Sequence, residues 1–136
     1  LTQSRGVFAF KNESSMSGHS INLKEKFDKF SDHWAPKVIA EMNDYQFKLV
    51  KVAGEFIWHS HDDTDETFIV LDGELAIEFR DKIITLEKGE MAVVPSGVEH
   101  KPVAQNECKI MIVEKRGVTN TGDAGGGLTA ENDVWI

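Results

Sequence analysis

A single cysteine, Cys108, stands in the whole chain. No disulfide can form within it, and no cysteine-based zinc cage can be built. Cys108 lies in the apolar run CKIMIV and reads as a buried strand residue rather than a reactive thiol. No apolar stretch approaches the ~20 residues that a membrane-spanning helix needs. Near the start, VFAF between Arg5 and Lys11 falls short of the ~7–15 residues of a secretory core. Positive charge is the scarcer sign, with 15 Lys and Arg against 23 Asp and Glu and a net charge of -8. Such a surface repels phosphate backbones and anionic lipid, so nucleic acid and membrane are not expected partners. An acidic, cysteine-poor chain of this kind is expected in the cytoplasm. The chain contains no internal repeat, no GxGxxG or P-loop, no nucleophile elbow and no basic stripe.

What is present fits one domain: 136 residues of which 40% are hydrophobic, enough for one core. Residues 1–20 are rich in Ser, Gly and Asn, lack periodicity and read as a loosely attached segment. Met16 is a candidate start, which would make residues 1–15 an upstream remnant. In INLKEKFDKF, Asn22 and Glu25 have capping-box spacing, and Leu23, Phe27 and Phe30 recur at helical intervals. This predicts one short amphipathic helix lying on the rest of the fold. From residue 37 the pattern becomes short strands: KVIAEM, YQFKLVKV, EFIWHSH, ETFIVL, ELAIEF, KIITL, MAVVP, HKPVA and CKIMIVE. Turn signals separate them, and Asp72-Gly73 between two apolar runs predicts a hairpin. Many short strands at near-regular spacing point to an all-β sandwich or barrel. The tail is loop-like around Gly125, Gly126 and Gly127, and ends on Val134, Trp135 and Ile136, an apolar terminus that should dock.

The chemistry concentrates in four residues. His59 and His61 alternate along a predicted strand, so both imidazoles project from one face. Glu66 follows a short acidic loop, and His100 follows a Pro-Ser-Gly turn at the mouth of a later predicted hairpin. Three neutral imidazoles and one carboxylate make a donor set for a divalent ion, leaving about one net positive charge to attract an oxygen-rich ligand. An HxH pair alone is common on strand surfaces; the glycines and proline around these residues make the pattern specific.

With those residues in order, the chain resembles the cupin superfamily. The first cupin motif places a glycine before HxH, then three or four residues, Glu, six residues and Gly. It is met by Gly54, His59, His61, Glu66 and Gly73. The second, Gly, five residues, Pro-x-Gly, two residues and His, is met by Gly89, Pro95, Gly97 and His100. Two departures exist: four rather than five residues separate Gly54 from His59, and Ala104 holds the place of a trailing structural Asn. The motif core spans 54–104 and the strand pattern extends the likeness over about 37–115. The resemblance implies a single cupin domain over 21–136, a double-stranded β-helix or jelly-roll barrel with a short N-terminal helix. It implies His59, His61, Glu66 and His100 as ligands of one divalent metal ion per chain, with Fe, Mn, Ni, Co and Zn all open. Among cupins the chain looks most like short bacterial proteins of the mannose-6-phosphate isomerase-like type.

Three functions are compatible with this reading. The first is an enzyme using the metal as a Lewis acid in isomerase, epimerase or lyase chemistry on a sugar-like or hydroxy-acid substrate. The others are an Fe(II)-dependent dioxygenase and a non-catalytic module for a small-molecule ligand. No catalytic base is identifiable. Ile57, Phe68 and Val70 are expected to wall the metal side, with Trp58 and Ser60 facing away and Trp58 packed under a helix, the tail or a partner. Asp62, Asp63 and Asp65 read as solvated loop charges and His19 and His33 as surface residues. Gln46, Lys48 and Arg80 could reach a ligand, although strand alternation would also explain them as exposed. Strands apolar on both faces, together with Trp58, predict a homodimer.

Overall fold

A computed structural model describes residues 18–136. The readings of the first residues as loosely attached, and of Met16 as a start, lie outside the described residues except at 18–20. The elements run α1 (Leu23–Phe27), β1 (Lys37–Met42), β2 (Tyr45–Glu55), β3 (Glu66–Asp72), β4 (Glu74–Phe79), β5 (Ile83–Glu87), β6 (Met91–Val94) and β7 (His100–Lys115). This is the all-β jelly-roll barrel with one short N-terminal helix. No helix among the described residues is long and apolar enough to cross a membrane.

The axis of the fold is β7, whose 16 residues absorb two predicted strands, HKPVA and CKIMIVE. They form one strand that bends at the exposed Gln105–Glu107 segment. Along one side β7 pairs with β2 from Tyr45↔Lys115 to Glu55↔Val103. Along the other it pairs with β4 near its start, Phe79↔His100, and with β3 near its end, Thr67↔Val113. β3 and β4 thus lie end to end against one partner and do not pair with each other. The expected Asp72-Gly73 hairpin is therefore corrected: the chain bends there without reversing. Gly73 has φ +93°, and a Cβ on it would sit 3.1 Å from the Cα of Cys108. The signal for positive φ was real; hydrogen bonds to β7, rather than a folded-back neighbour, decided the direction. After the bend the chain changes partners, since β3 pairs with β6 while β4 pairs with β5. Nor is the segment before His100 a hairpin, because β6 pairs with β3 and not with β7.

Alternation fills the barrel. Val50 and Val52 of β2, Phe68 and Val70 of β3, Leu75 and Ile77 of β4, and Cys108, Ile110 and Ile112 of β7 form the inner core. Burial pushes the Cys108 thiol up to about 11, in keeping with an inert core residue. The outer face of β1 and β2 is covered from within the chain. Ile39 and Leu49 pack with Phe27 of α1, flanked by Leu23, Phe30 and the terminal Ile136. Asn22 caps α1 by accepting from the Glu25 amide at 3.0 Å. The helix stops after five residues, as the amides of Lys29 and Phe30 bond only three residues back. The tail docks as expected: Trp135 bridges Val38 in parallel, and Lys26 Nζ donates to the Ile136 carbonyl at 2.7 Å. Much of the second apolar face that pointed to a partner is thus satisfied internally. Trp58 carries the Arg80 guanidinium over its ring, 3.8 Å from the centroid.

Of the two readings of Gln46 and Lys48, inward or exposed, the structure takes the inward one. Both lie on the inner face of β2, at 0% and 2% exposure. Lys48 Nζ donates to Glu114 Oε2 at 2.8 Å, a pair buried in the barrel. Separated from Glu114, the ammonium would be an uncompensated interior charge, and the converse holds for the carboxylate. Lys48→Met is expected to cost about 3–5 kcal/mol in urea unfolding at about pH 9, where the Glu114 carboxyl, pushed up by burial to about 8, is charged. Adding Glu114→Leu should recover most of that loss, because the second charge then leaves too. Equal stabilities for the single and double variants would show that the pair does not act as a unit.

Candidate metal centre

HxH does not lie in a regular strand. β2 ends at Glu55, and the following segment is held by an isolated bridge in which His59 and His100 exchange both backbone hydrogen bonds, at 2.9 and 3.1 Å. That bridge brings the two motifs together. Their loops are further tied by Gly97, whose amide donates to the His61 carbonyl at 2.8 Å with φ +81°. Asp65, expected to be only solvated, accepts from the Ser96 amide at 2.9 Å. Asp62 and Asp63 are exposed, as expected of loop charges.

His59, His61, Glu66 and His100 converge, all buried, with one donor atom from each within 4.8 Å of the others. A sphere of metal bonds near 2.0–2.2 Å is about that wide. Two tautomers are dictated by the backbone. His59 Nδ1 lies 2.9 Å from the Ile57 carbonyl and His100 Nδ1 lies 2.9 Å from the Val98 carbonyl. A carbonyl only accepts, so each Nδ1 carries the proton and each neutral ring leaves its Nε2 lone pair free. The His100 Nε2 lone pair then faces Glu66 Oε1 at 3.1 Å, and His61 Nε2 stands 3.4 Å from the same oxygen. His61 Nε2 is buried without a hydrogen-bond partner. Opposed lone pairs and an orphaned buried nitrogen are an arrangement that a cation between them relieves.

The ionisation of the metal-free cluster follows the same logic. Burial, with His100 nearby, pushes His59 down to about 4. Burial also opposes charge on Glu66, yet His100 and His61, which can donate from Nε2 once they take up a proton there, override it and hold the carboxyl far below the usual range. At His61 burial is outweighed by Glu66, and behind it Glu114, so its pKa is raised. Glu114 itself is pushed up by burial and by the Glu66 charge, with Lys48 opposing. The cluster keeps a buried anion and favours positive charge beside it.

These are the features of a known family. The sequence matches the cupin domain family over residues 47–114. The chain is a cupin. A cupin-2 domain protein from Shewanella frigidimarina NCIMB 400 shares 65% identity over 75% of this chain and all of its own, with TM-score 0.72. Protein NMB1881 from Neisseria meningitidis shares 36% over 71% of this chain and 99% of its own, with TM-score 0.66. YdbB, an uncharacterized protein of Bacillus subtilis strain 168, is 41% identical over 80 residues. That match takes in 58% of this cupin and 65% of YdbB, so this chain spans less than two thirds of that relative.

Several residues around the site were not anticipated. Trp34 stacks on Phe56 with centroids 4.7 Å apart, and Phe56 in turn meets the His59 ring edge-on at 5.2 Å. Asn120 Nδ2 donates to the Trp34 carbonyl at 2.8 Å. The tail passes beside His61: the Ser60 amide donates to Asp123 Oδ1 at 3.0 Å, and a Cβ on Gly122 would overlap the Ser60 carbonyl. No sequence pattern marks these, because each is joined to the site only by the tertiary fold. Of the three expected wall residues, Phe68 borders the site, Val70 belongs to the core, and Ile57 contributes its carbonyl. Arg80 is exposed and pairs with Glu99, while His33 is exposed and pairs with Glu107.

The sign of the pH dependence at His59 is definite. Its folded pKa, about 4, lies below the unfolded value near 6.5, so the unfolded chain binds more protons between them. In metal-free protein this stability is present above about 6.5 and is lost as pH falls toward about 4. His61 and Glu114, both raised, titrate in the opposite sense, and Glu66 adds loss only at lower pH. Replacing His59 isolates its contribution. Between pH 7 and pH 4.5, wild-type apo protein should lose on the order of 1–3 kcal/mol more than His59→Gln, by denaturant unfolding at each pH. Parallel losses in the two proteins would mean His59 is not held neutral by burial.

Proposed function

We propose that this cupin holds one divalent metal ion per chain through His59, His61, Glu66 and His100, and acts on a small molecule with oxygen donors. The observation that carries this reading is the convergence of four buried donor atoms within 4.8 Å of one another, with His61 Nε2 left without a hydrogen-bond partner. A bound divalent ion supplies Lewis acidity, suited to easing proton transfer, isomerisation or elimination next to a carbonyl or carboxylate. The protein's part is orientation and exclusion of water. The Ile57 and Val98 carbonyls fix two rings, and Glu66 supplies the anionic charge. A second reading, an Fe(II)-dependent dioxygenase, is favoured by the apolar wall beside His59 and Glu66. Iron content together with oxygen uptake separates it from the first.

Elemental analysis of protein purified without added metal is the direct test. One ion per chain is expected, with a loss of most of it in His59→Ala and in His61→Ala, since each removes one of four protein ligands. Imidazole binds metal only when neutral, so affinity should also fall as pH approaches about 5. Full occupancy in both variants, or several ions per chain, would refute the ligand assignment.

We further propose that two copies pair. The support is now the outer face of the edge strand β6, where Met91 and Val93 remain 56% and 53% exposed. Light scattering at micromolar concentration should give the mass of a dimer, and Val93→Lys should give a monomer. A monomeric wild type would refute pairing.

A further inference from the structure

We infer that the ligand of this centre is a compact, largely apolar molecule, an aromatic ring bearing a carboxylate or hydroxyl, and that Trp34 is the residue that selects it. This deepens the metal reading and rests on it. A cavity of about 30 Å³ opens inside the barrel against His59 and Glu66. Its other walls are Trp34, Phe56 and Phe68 with the aliphatic side chains of Val50, Val52 and Ile110. Among the residues that line it, Asn120 is the one further polar side chain, and it is fully engaged. Its Nδ2 donates to the Trp34 and Leu128 carbonyls, and its Oδ1 accepts from the Ala130 amide.

This lining decides between ligand classes. A sugar would bring several hydroxyls into walls that offer them no partner, and each unpaired buried polar group is penalised. A phosphate would find no Lys or Arg on this side of the cluster, since Lys115 and Arg116 border a separate cavity on the His61 side. A molecule with its oxygen donors gathered at one end meets the site's single polar end, and a ring meets the aromatic wall. The chain Trp34–Phe56–His59 continues the aromatic surface up to the imidazole, with centroids 4.7 and 5.2 Å apart.

A cavity of this size takes only water-sized guests as it stands, so a ring enters by displacing a wall. We assign that displacement to Trp34. It lies in the connection between α1 and β1 rather than in the sheet, at φ +60°, a conformation rare for a tryptophan. Three polar contacts hold it there: its amide to the Lys51 carbonyl at 2.9 Å, its indole Nε1 to the Ala53 carbonyl at 3.0 Å, and Asn120 on its own carbonyl. Backbone held in a rarely populated region by such surroundings is found at ligand clamps.

The test uses cobalt(II)-loaded full-length protein, dialysed free of excess metal, titrated with benzoate, with acetate and with mannose 6-phosphate. Changes in the cobalt visible bands report binding at the metal. Benzoate and acetate share a carboxylate and differ by the ring, whose burial should make benzoate about tenfold or more tighter. Trp34→Ala should bring that ratio close to one with cobalt content unchanged, and Trp34→Phe should keep most of it. A merely structural Trp34 would lower the melting temperature in both variants and leave the ratio alone. Equal binding of benzoate and acetate, tighter binding of mannose 6-phosphate, or an unchanged ratio in Trp34→Ala overturns this inference alone. Failure to take up one cobalt per chain overturns it together with the metal reading.

Discussion

Glu66 is a carboxylate inside a β-barrel, only 4% exposed, and a buried anion must be met by positive charge or be neutralised. The surrounding structure does not meet that demand with a lysine or arginine. Three imidazoles are brought to it instead, two with their tautomers dictated by backbone carbonyls so that lone pairs rather than N–H groups point inward. A site built that way favours a cation shared by all four side chains over a fixed ion pair with any one of them. One pairing away, the barrel solves the same problem differently: Glu114 faces the interior from β7 and takes Lys48 as its partner at 2.8 Å. That ammonium belongs to Glu114, which leaves the negative charge of Glu66 available to the imidazoles.

The long strand β7 makes these arrangements compatible. It begins with His100 and carries Glu114 one residue before its end, so one strand contributes to the imidazole cluster and to the buried ion pair. Its partners on one side change from β4 to β3 where Gly73 bends against Cys108. A residue larger than hydrogen at that contact would push the two strands apart and disturb the register of both with β7. The glycine carries no chemistry of its own; it sets the distance between two strands that pair with opposite ends of β7.

The cluster was legible in the sequence for a physical reason. The HxH pair, Glu66 and the Pro-Ser-Gly turn before His100 act through local geometry, alternation on extended backbone and a tight turn, and local geometry is what a sequence displays. Strand positions were legible by the same alternation. What failed was pairing. Asp72-Gly73 looks the same whether the chain reverses or bends, and only the hydrogen-bonding neighbour decides. Gln46 and Lys48 alternate along β2, but their polarity left the face open, and only Glu114 on the neighbouring strand makes the inner face tolerable for Lys48. Trp34, Asn120 and Asp123 were invisible because they lie outside the motif segments and reach the site through a ring stack and through side-chain bonds to distant backbone groups, partners that no local pattern names.

Those distant contacts separate the making of the centre from its selectivity. The four converging side chains come from the motif segments and would suit many ligands, as a donor set has no shape of its own. Shape comes from elsewhere: the connection before β1 supplies Trp34, and the tail supplies Asn120 to hold it and Asp123 to brace Ser60. The tail is itself anchored at its far end by the bridge between Trp135 and Val38. A change in either segment can therefore reshape the cavity while leaving the donor atoms where they are. In this barrel the core fixes where the four donor atoms stand, and the two peripheral segments shape the cavity beside them.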